Sequence, residues 1–306
     1  MPTPILSLPI ADLQYAVNCM EIDELIAFSL CSNRTKNLVK SSKRKIEPIY
    51  ADVDLNLISL RISPREEEFE RPPPQSMTFR IRPDFLIKLE RENESEYDVW
   101  RTPEFTQSDL VAHFLSIFNE PLIHVLKIEN TDISYLDTVK QIMPKFDILE
   151  IDDMCSDAVA KMAFFELAPI AVEQVIVHNN IFDNENDITE FLTLNLTYVF
   201  FFNWEKPLKL KLSDLLVANV EKLSIMNAKI TEQELNRFLK LWMKGNHRFY
   251  RPTYIKVSLE KETNHQKVFR GIKCVTVNHE SRLKRADGKE LLISIQEHSV
   301  YFEFQE

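Results

Sequence analysis

The sequence predicts a mixed α/β chain in which three short N-terminal helices precede a solenoid of repeated strand–helix units, closed by a C-terminal β-hairpin or meander. Three observations predict it. Leu13, Val17 and Met20 recur at helical spacing near the start. An apolar-x-apolar-x-Asn/Asp motif recurs five times after residue 122, and Asp287-Gly288 separates two alternating apolar runs near the end.

The N-terminal helices follow from local rules. Pro9 suits a first helical turn, where its missing N–H has no intrahelical partner to lose. Leu13, Val17 and Met20 then fall on one face. Asp23 is placed to cap a second helix, whose Leu25 and Phe28 share a face before Ser32 and Asn33 interrupt the run. A third helix is expected from about Arg34 to Lys45, with Leu38 and Val39 as its apolar positions. Its basic cluster, Arg34, Lys36, Lys40, Lys43, Arg44 and Lys45, reads as a solvated helix face, with a nuclear address or phosphate-facing patch as the alternative.

Residues 4–46 resemble an F-box, with Leu8, Pro9, Leu13, Met20, Leu25 and Phe28 at the family's apolar positions. The resemblance implies docking on a Skp-type adaptor, and through it on a cullin, by way of Leu8, Pro9, Leu13, Val17, Met20, Leu25 and Phe28. Three short helices bury little surface by themselves, and chains below roughly 40 residues usually need a partner, metal or disulfide. Ala11 stands where many members have an acidic residue, Ala16 where many have a larger apolar one, and no Trp lies near Thr35. On residue pattern alone, an ordinary helical cap on the rest of the chain is the alternative.

Residues 47–121 read as a β-rich connecting region ending in a capping helix. Ile49 to Ile62 alternates in part, through Val53, Leu55, Leu57, Ser59 and Arg61, and Met77 to Leu89 is a second β-rich run. Between them, Arg65 to Gln75 holds Glu66-Glu67-Glu68 and Pro72-Pro73-Pro74 and reads as an exposed loop. Leu110 to Phe118 forms an amphipathic helix placed to cap the first repeat.

The repeat occupies residues 122–260. Its motifs are Leu126, Ile128, Asn130; Leu149, Ile151, Asp153; Val175, Val177, Asn179; Val199, Phe201, Asn203; and Leu223, Ile225, Asn227. The polar positions are 23, 26, 24 and 24 residues apart, within the leucine-rich-repeat range of one strand plus one return helix per unit. Alternate apolar residues point into a shared interior, and the terminal Asn or Asp is placed to hydrogen-bond backbone groups as the chain leaves the strand. Helices are expected around Leu136, Val139 and Ile142; around Val159, Met162, Ala163 and Leu167; and around Leu235, Phe238, Leu239 and Trp242, the last ended by Gly245. Ile255, Val257 and Leu259 supply a sixth strand. An ordinary α/β domain with evenly spaced strands buries the same residues and differs in curvature.

Leu212 to Leu259 is also similar to the type 2 F-box-associated domain expanded among nematode F-box proteins. The residues carrying the likeness are Asp214-Leu215-Leu216, Leu223-x-Ile225-x-Asn227, Thr231, Glu234-Leu235-Asn236, Phe238-Leu239, Trp242 and Gly245-Asn246, with His247 where that family has proline. In the tail, residues 261–306, Lys273 to Asn278 alternates around Val275 and Val277. Ile293, Ile295, Val300, Phe302 and Phe304 then extend a meander able to cover the last sheet edge.

Composition narrows the function classes. A net charge of −10 disfavours a nucleic-acid surface, which needs a basic stripe. The chain holds no clustered glycines among Gly245, Gly271 and Gly288, no HExxH motif and no histidine pair at i, i+4, so no P-loop, dinucleotide fingerprint, nucleophile elbow or metal motif is recognisable. No cofactor is called for. Adjacent Asp152 and Asp153 do not converge on one point, as acid/base catalysis would need. Cys19, Cys31, Cys155 and Cys274 form no CxxC pair and read as buried thiols in a reducing compartment. With no apolar leader and no twenty-residue apolar run, an intracellular protein, cytoplasmic or nuclear and without a membrane partner, is expected.

Together these readings imply a non-enzymatic substrate-recognition subunit of a Skp-cullin-F-box ubiquitin ligase, its repeat domain presenting a target protein. Candidate target contacts are the outward strand residues Lys127, Glu150, Ile176, Phe200, Ser224 and Lys256. Val199 to Phe202 is four apolar residues in a row, so at least one must face away from the core. The alternative is a non-catalytic intracellular interaction scaffold that no longer binds the adaptor, motivated by Ala11, Ala16 and the missing Trp.

Overall fold

The computed structural model describes residues 5–44, 48–62, 76–84, 86–91, 97–118, 122–182, 185–202, 206–245, 251–277 and 280–305. They fall into two units, residues 1–126 with 137–146, and residues 127–136 with 147–306. The loop Arg65 to Gln75, Lys45, Asn203, Asn246 and His247 lie outside the described residues.

In the first unit, α1 (Ile10–Cys19), α2 (Ile22–Leu30) and α3 (Asn33–Ser41) form the N-terminal layer. Pro9 is the N-cap of α1, one position before the helix proper, and Leu13 and Val17 are buried beneath it. Asp23 does not cap α2. The cap is Glu21, whose backbone N–H donates to Glu24 Oε2 at 2.9 Å in a capping box, while Asp23 turns sideways to pair with Arg91. Ser32 caps α3, and that helix stops at Ser41, short of the expected Lys45, with Ser41 and Ser42 hydroxyls donating to Leu38 and Val39 carbonyls.

The run from Ile49 to Ile62 is a hairpin, not one strand: β1 (Ile49–Asp54) pairs antiparallel with β2 (Leu57–Ile62). Leu55 and Asn56 both have positive φ, the geometry of a two-residue primed turn. That turn flips the parity. Ala51 and Val53 are buried before it and Ile58, Leu60 and Ile62 after it, while Leu55 stands exposed at the tip. The meander continues through β3 (Met77–Ile81), β4 (Leu86–Arg91) and β5 (Tyr97–Arg101), the last inside the expected β-rich region but beyond its two named runs. On the other side of β1 lies β6 (Ile123–Ile128). Helix α4 (Gln107–Ile117), capped by Thr106, buries Phe114 edge-on against Phe79 with ring centroids 5.0 Å apart.

The boundary between units falls within β6 and α5 (Ile133–Ile142). In the second unit strands and helices alternate: β7 (Phe146–Ile151), α6 (Asp157–Leu167), β8 (Ala171–Val177), α7 (Glu185–Leu192), β9 (Tyr198–Phe202), β10 (Leu208–Lys209), α8 (Leu212–Val217), β11 (Lys222–Lys229), α9 (Glu232–Met243) and β12 (Tyr254–Leu259). Strands β8, β9, β11 and β12 are parallel neighbours in chain order. Each βαβ step is what parallel pairing requires, since a parallel strand cannot be reached by a tight turn. Val175, Val177, Val199, Phe201, Leu223, Ile225, Ile255 and Val257 are all buried, and the alternate residues between them are mostly half-buried.

The helices supply the cover for that apolar side. Phe182 and Phe191 meet Phe201 with ring centroids 5.6 and 4.9 Å apart, and Phe238 of α9 meets Phe302 at 5.4 Å. Val159, Ala163 and Leu167 of α6 are buried as expected, but Met162 is 40% exposed because the helix turns it away from the sheet. Gly245, with φ +71°, follows α9 in the left-handed conformation that helix ends use. The chain then passes α10 (His265–Val268) and forms β13 (Val275–Val277), β14 (Glu280–Lys284), β15 (Glu290–Gln296) and β16 (Ser299–Gln305). Asp287-Gly288 makes the β14–β15 turn, and β16 pairs antiparallel with β12, covering its free edge.

The expected Asn/Asp ladder is partly different. Asn179 Nδ2 donates to the Asp153 carbonyl at 2.9 Å, a bond between the ends of neighbouring strands β8 and β7. Asn227 takes positive φ where the register of β11 shifts. Asn130 and Asp153 are exposed; at that step Cys155 Sγ reaches the Glu129 carbonyl at 2.6 Å and Asp152 N–H donates to the Ile128 carbonyl at 2.9 Å.

Candidate functional site

On the first unit, the seven residues expected to meet an adaptor divide by burial. Leu13, Val17 and Leu25 are at most 3% exposed and form the helices' own core, so they present no contact surface. This corrects their expected role: one apolar stripe on so small a helix is consumed by its neighbours. Leu8, Met20 and Phe28 are half-buried and Pro9 is exposed. Ile10 and Tyr15, which sequence reasoning passed over, are 75% and 73% exposed. The signal for Tyr15 was available, since it lies off the Leu13–Val17 face; Ile10 shares that face by spacing and is exposed because it is the first residue of α1.

The layer is tied down by polar bonds. Arg34 Nη2 donates to the Leu6 carbonyl at 3.2 Å, and Arg44 donates to the Met20 carbonyl. Arg91 bridges Asp23 and Asp98, and its bond to Asp23 holds its charge firmly. Inside, Ser29 Oγ donates to the Ile26 carbonyl at 2.6 Å and lies 2.7 Å from His113 Nε2. A hydroxyl has one proton to give, so His113 Nε2–H is the donor to Ser29. Burial, and secondarily the charge of Lys36, pushes the His113 pKa down to about 4, which keeps the ring neutral.

On the second unit, the expected target contacts fall on the sheet surface opposite the helices. Ile176, Phe200, Ser224, Lys256 and Tyr301 stand in one cross-strand row. Ile176, Phe200 and Lys256 are half-buried. Ser224 is a correction: it is only 4% exposed, because the Tyr198 hydroxyl lies over it and donates to it at 3.3 Å. Phe200 packs edge-on against Phe202 at 5.5 Å, and Phe202 against His178 at 5.7 Å. Lys256 Nζ sits 5.4 Å from the Tyr301 ring centroid.

Lys127 and Glu150 belong to a charged cluster beside this patch. Lys127 Nζ lies 2.8 Å from both Glu129 and Asp152, and these bonds outweigh burial to raise its pKa. His178 Nε2 lies 3.0 Å from Glu150, which lowers the carboxyl's pKa and raises the histidine's. Asp153, hydrogen-bonded to Asp152, is pushed up by that neighbouring carboxylate. Tyr198 and His178 were not anticipated, and Asp152 and Phe202 were noted only as a rejected acid/base residue and as part of the Val199–Phe202 run; Tyr198 and Phe202 share the parity of Phe200 and were findable from it.

Among the described residues no group of three or more His, Cys, Asp or Glu is arranged to hold a metal ion, and no helix is long and apolar enough to cross a membrane. Chemically, both surfaces offer recognition: apolar side chains, aromatic faces and fixed charges.

Comparison with known proteins gives two family matches. The F-box domain model matches residues 5–47, the whole α1–α3 layer, and the F-box associated model matches residues 187–249, from α7 through α9. The second match begins earlier than the likeness at Leu212 and ends before Leu259. No curated protein and no solved structure matches the chain. With a helical layer built on Leu13, Val17 and Leu25 and the α7–α9 segment each matching its own model, the chain is an F-box protein with an F-box-associated domain.

Proposed function

We propose that this chain is the substrate-recognition subunit of a Skp-cullin-F-box ubiquitin ligase. The observation that carries the reading is the presence of an F-box and an F-box-associated domain in one chain, since F-box domains bind Skp-type adaptors and such families are typically non-catalytic adaptors. In this reading residues 1–46 dock on the adaptor through Leu8, Pro9, Met20 and Phe28, joined by Ile10 and Tyr15, over a core of Leu13, Val17 and Leu25. Residues 47–121 connect, residues 122–260 form a leucine-rich-repeat-like solenoid that presents a target, and residues 261–306 close its last edge. Chain-order parallel strands with one fully buried side support the solenoid. Contribution to the reaction is proximity: holding a target lysine near a charged conjugating enzyme raises its effective concentration without chemistry on this chain.

A second reading, a scaffold that no longer binds the adaptor, is favoured by Ala11 and Ala16, the first exposed and the second half-buried on α1. Pulldown of a Skp-type adaptor by the full chain separates the two. A variant with Leu8→Ala and Pro9→Ala, its helicity checked by circular dichroism, is the control. Capture by the wild type and not by the folded variant supports the ligase subunit; no capture by the folded wild type leaves the scaffold.

A further inference from the structure

We propose that the open sheet face of the second unit takes an extended segment of a partner protein in which a lysine or arginine is adjacent to apolar or aromatic side chains. The inference rests on the target-recognition reading above and names the chemistry of the target. Its basis is the side-by-side arrangement of two features on one face. Ile176, Phe200 and Phe202 form a half-buried apolar patch whose rings are fixed by edge-on contacts, so they lose little conformational freedom on binding.

Against that patch stands an excess of negative charge. Glu129, Glu150, Asp152 and Asp153 are four carboxylates, and the cations set among them are Lys127 and His178. Lys127 is shared between Glu129 and Asp152, and His178 is taken by Glu150. Asp153 is exposed, and the neighbouring Asp152 carboxylate, itself paired with Lys127, pushes its pKa up. His178 joins the two features, hydrogen-bonded to Glu150 on one side and edge-on to Phe202 on the other. Charge complementarity therefore selects the occupant: a cation beside Asp153 gains attraction, and an acidic segment meets repulsion. Lys222 and Lys256, on β11 and β12, lie at the far side of the patch and set the direction, with the partner's cation over the β7–β8 end.

The test uses two fluorescein-labelled peptides of equal length, one repeating Arg-Leu-Phe and the other Glu-Leu-Phe, titrated with the full chain and read by fluorescence anisotropy. The Arg peptide binds about tenfold or more tightly than the Glu peptide, and raising salt from about 50 to about 500 mM removes most of the difference. Phe200→Ala, and separately Asp153→Asn, which alters only an exposed side chain, each weaken the Arg peptide about five- to tenfold. Glu260→Gln with Glu262→Gln, removing charge from the loop after β12, leaves it unchanged. Equal binding of the two peptides overturns the proposal. So does equal weakening by Asp153→Asn and the Glu260/Glu262 variant, which reveals attraction to net charge alone. Adaptor capture is scored separately, so its failure with peptide selectivity intact overturns the ligase reading and not this one.

Discussion

Acidification destabilises the first unit through one buried ring. His113 is 4% exposed, donates from Nε2 to Ser29, and is held neutral with its pKa near about 4. In the unfolded chain it returns to about 6.5, so between these values the unfolded state binds a proton that the folded state refuses. Stability is therefore full above about pH 7 and falls as pH drops through 6.5 toward 4. The full shift is worth about 2 kcal/mol at pH 5, so the expected loss is about 1–2 kcal/mol. Hydrogen exchange read on peptides from α2 and α4 isolates this unit, with His113→Gln as reference, since glutamine keeps an N–H donor but does not titrate. The variant is less stable at pH 7, yet loses about 1–2 kcal/mol less than wild type between pH 7 and 5. Identical pH losses in the two proteins refute the reasoning.

Three further outcomes follow from burial and thiol chemistry. Leu13→Ala costs about 2–5 kcal/mol and melts the N-terminal layer, whereas Ile10→Ala with Tyr15→Ala leaves the denaturation midpoint within the range of surface changes while abolishing adaptor capture. Phe201→Ala costs about 3–5 kcal/mol in urea unfolding and Phe200→Ala no more than about 1–2, because the first is fully buried and the second half-open. With iodoacetamide at about pH 8, mass spectrometry finds Cys19 and Cys31 labelled first and Cys155 last, since the first two are exposed and burial with the charge of Asp152 pushes the Cys155 thiol up to about 12. Labelling of native Cys155 at the rate of Cys31 contradicts its burial.

The parts of the fold legible in the sequence are those where one periodicity persists. The 3.6-residue spacing of Leu13 and Val17, and the strands at near-constant intervals after residue 122, each reflect one buried side repeated. The β1–β2 hairpin was not legible because its turn, Leu55-Asn56, lacks glycine, and because a two-residue turn moves the buried set from odd to even positions. The caps at Glu21 and the Asp23–Arg91 pair were missed for another reason. A carboxylate one or two residues into a helix serves equally as cap or ion-pair partner, and Arg91 is 68 residues away.

The candidate site shows the same division with a sharper consequence. Parity alone placed Ile176, Phe200 and Lys256 on the open side of the sheet, yet Ser224 on the same parity is covered, because the hydroxyl above it belongs to Tyr198 on the next strand. The charged cluster was equally hidden: Lys127, Asp152 and His178 come from three successive strands or strand ends, and only register brings a lysine to within 2.8 Å of an aspartate 25 residues on. Periodicity thus reports which side of a strand is buried and says nothing of what the neighbouring strand lays over the other side. With parallel neighbours about 24 residues apart in the chain, the make-up of this face depends on that spacing. A one-residue insertion in the α7–β9 connection that shifts the register of β9 turns Phe200 and Phe202 inward and Phe201 outward, losing core and contact surface together.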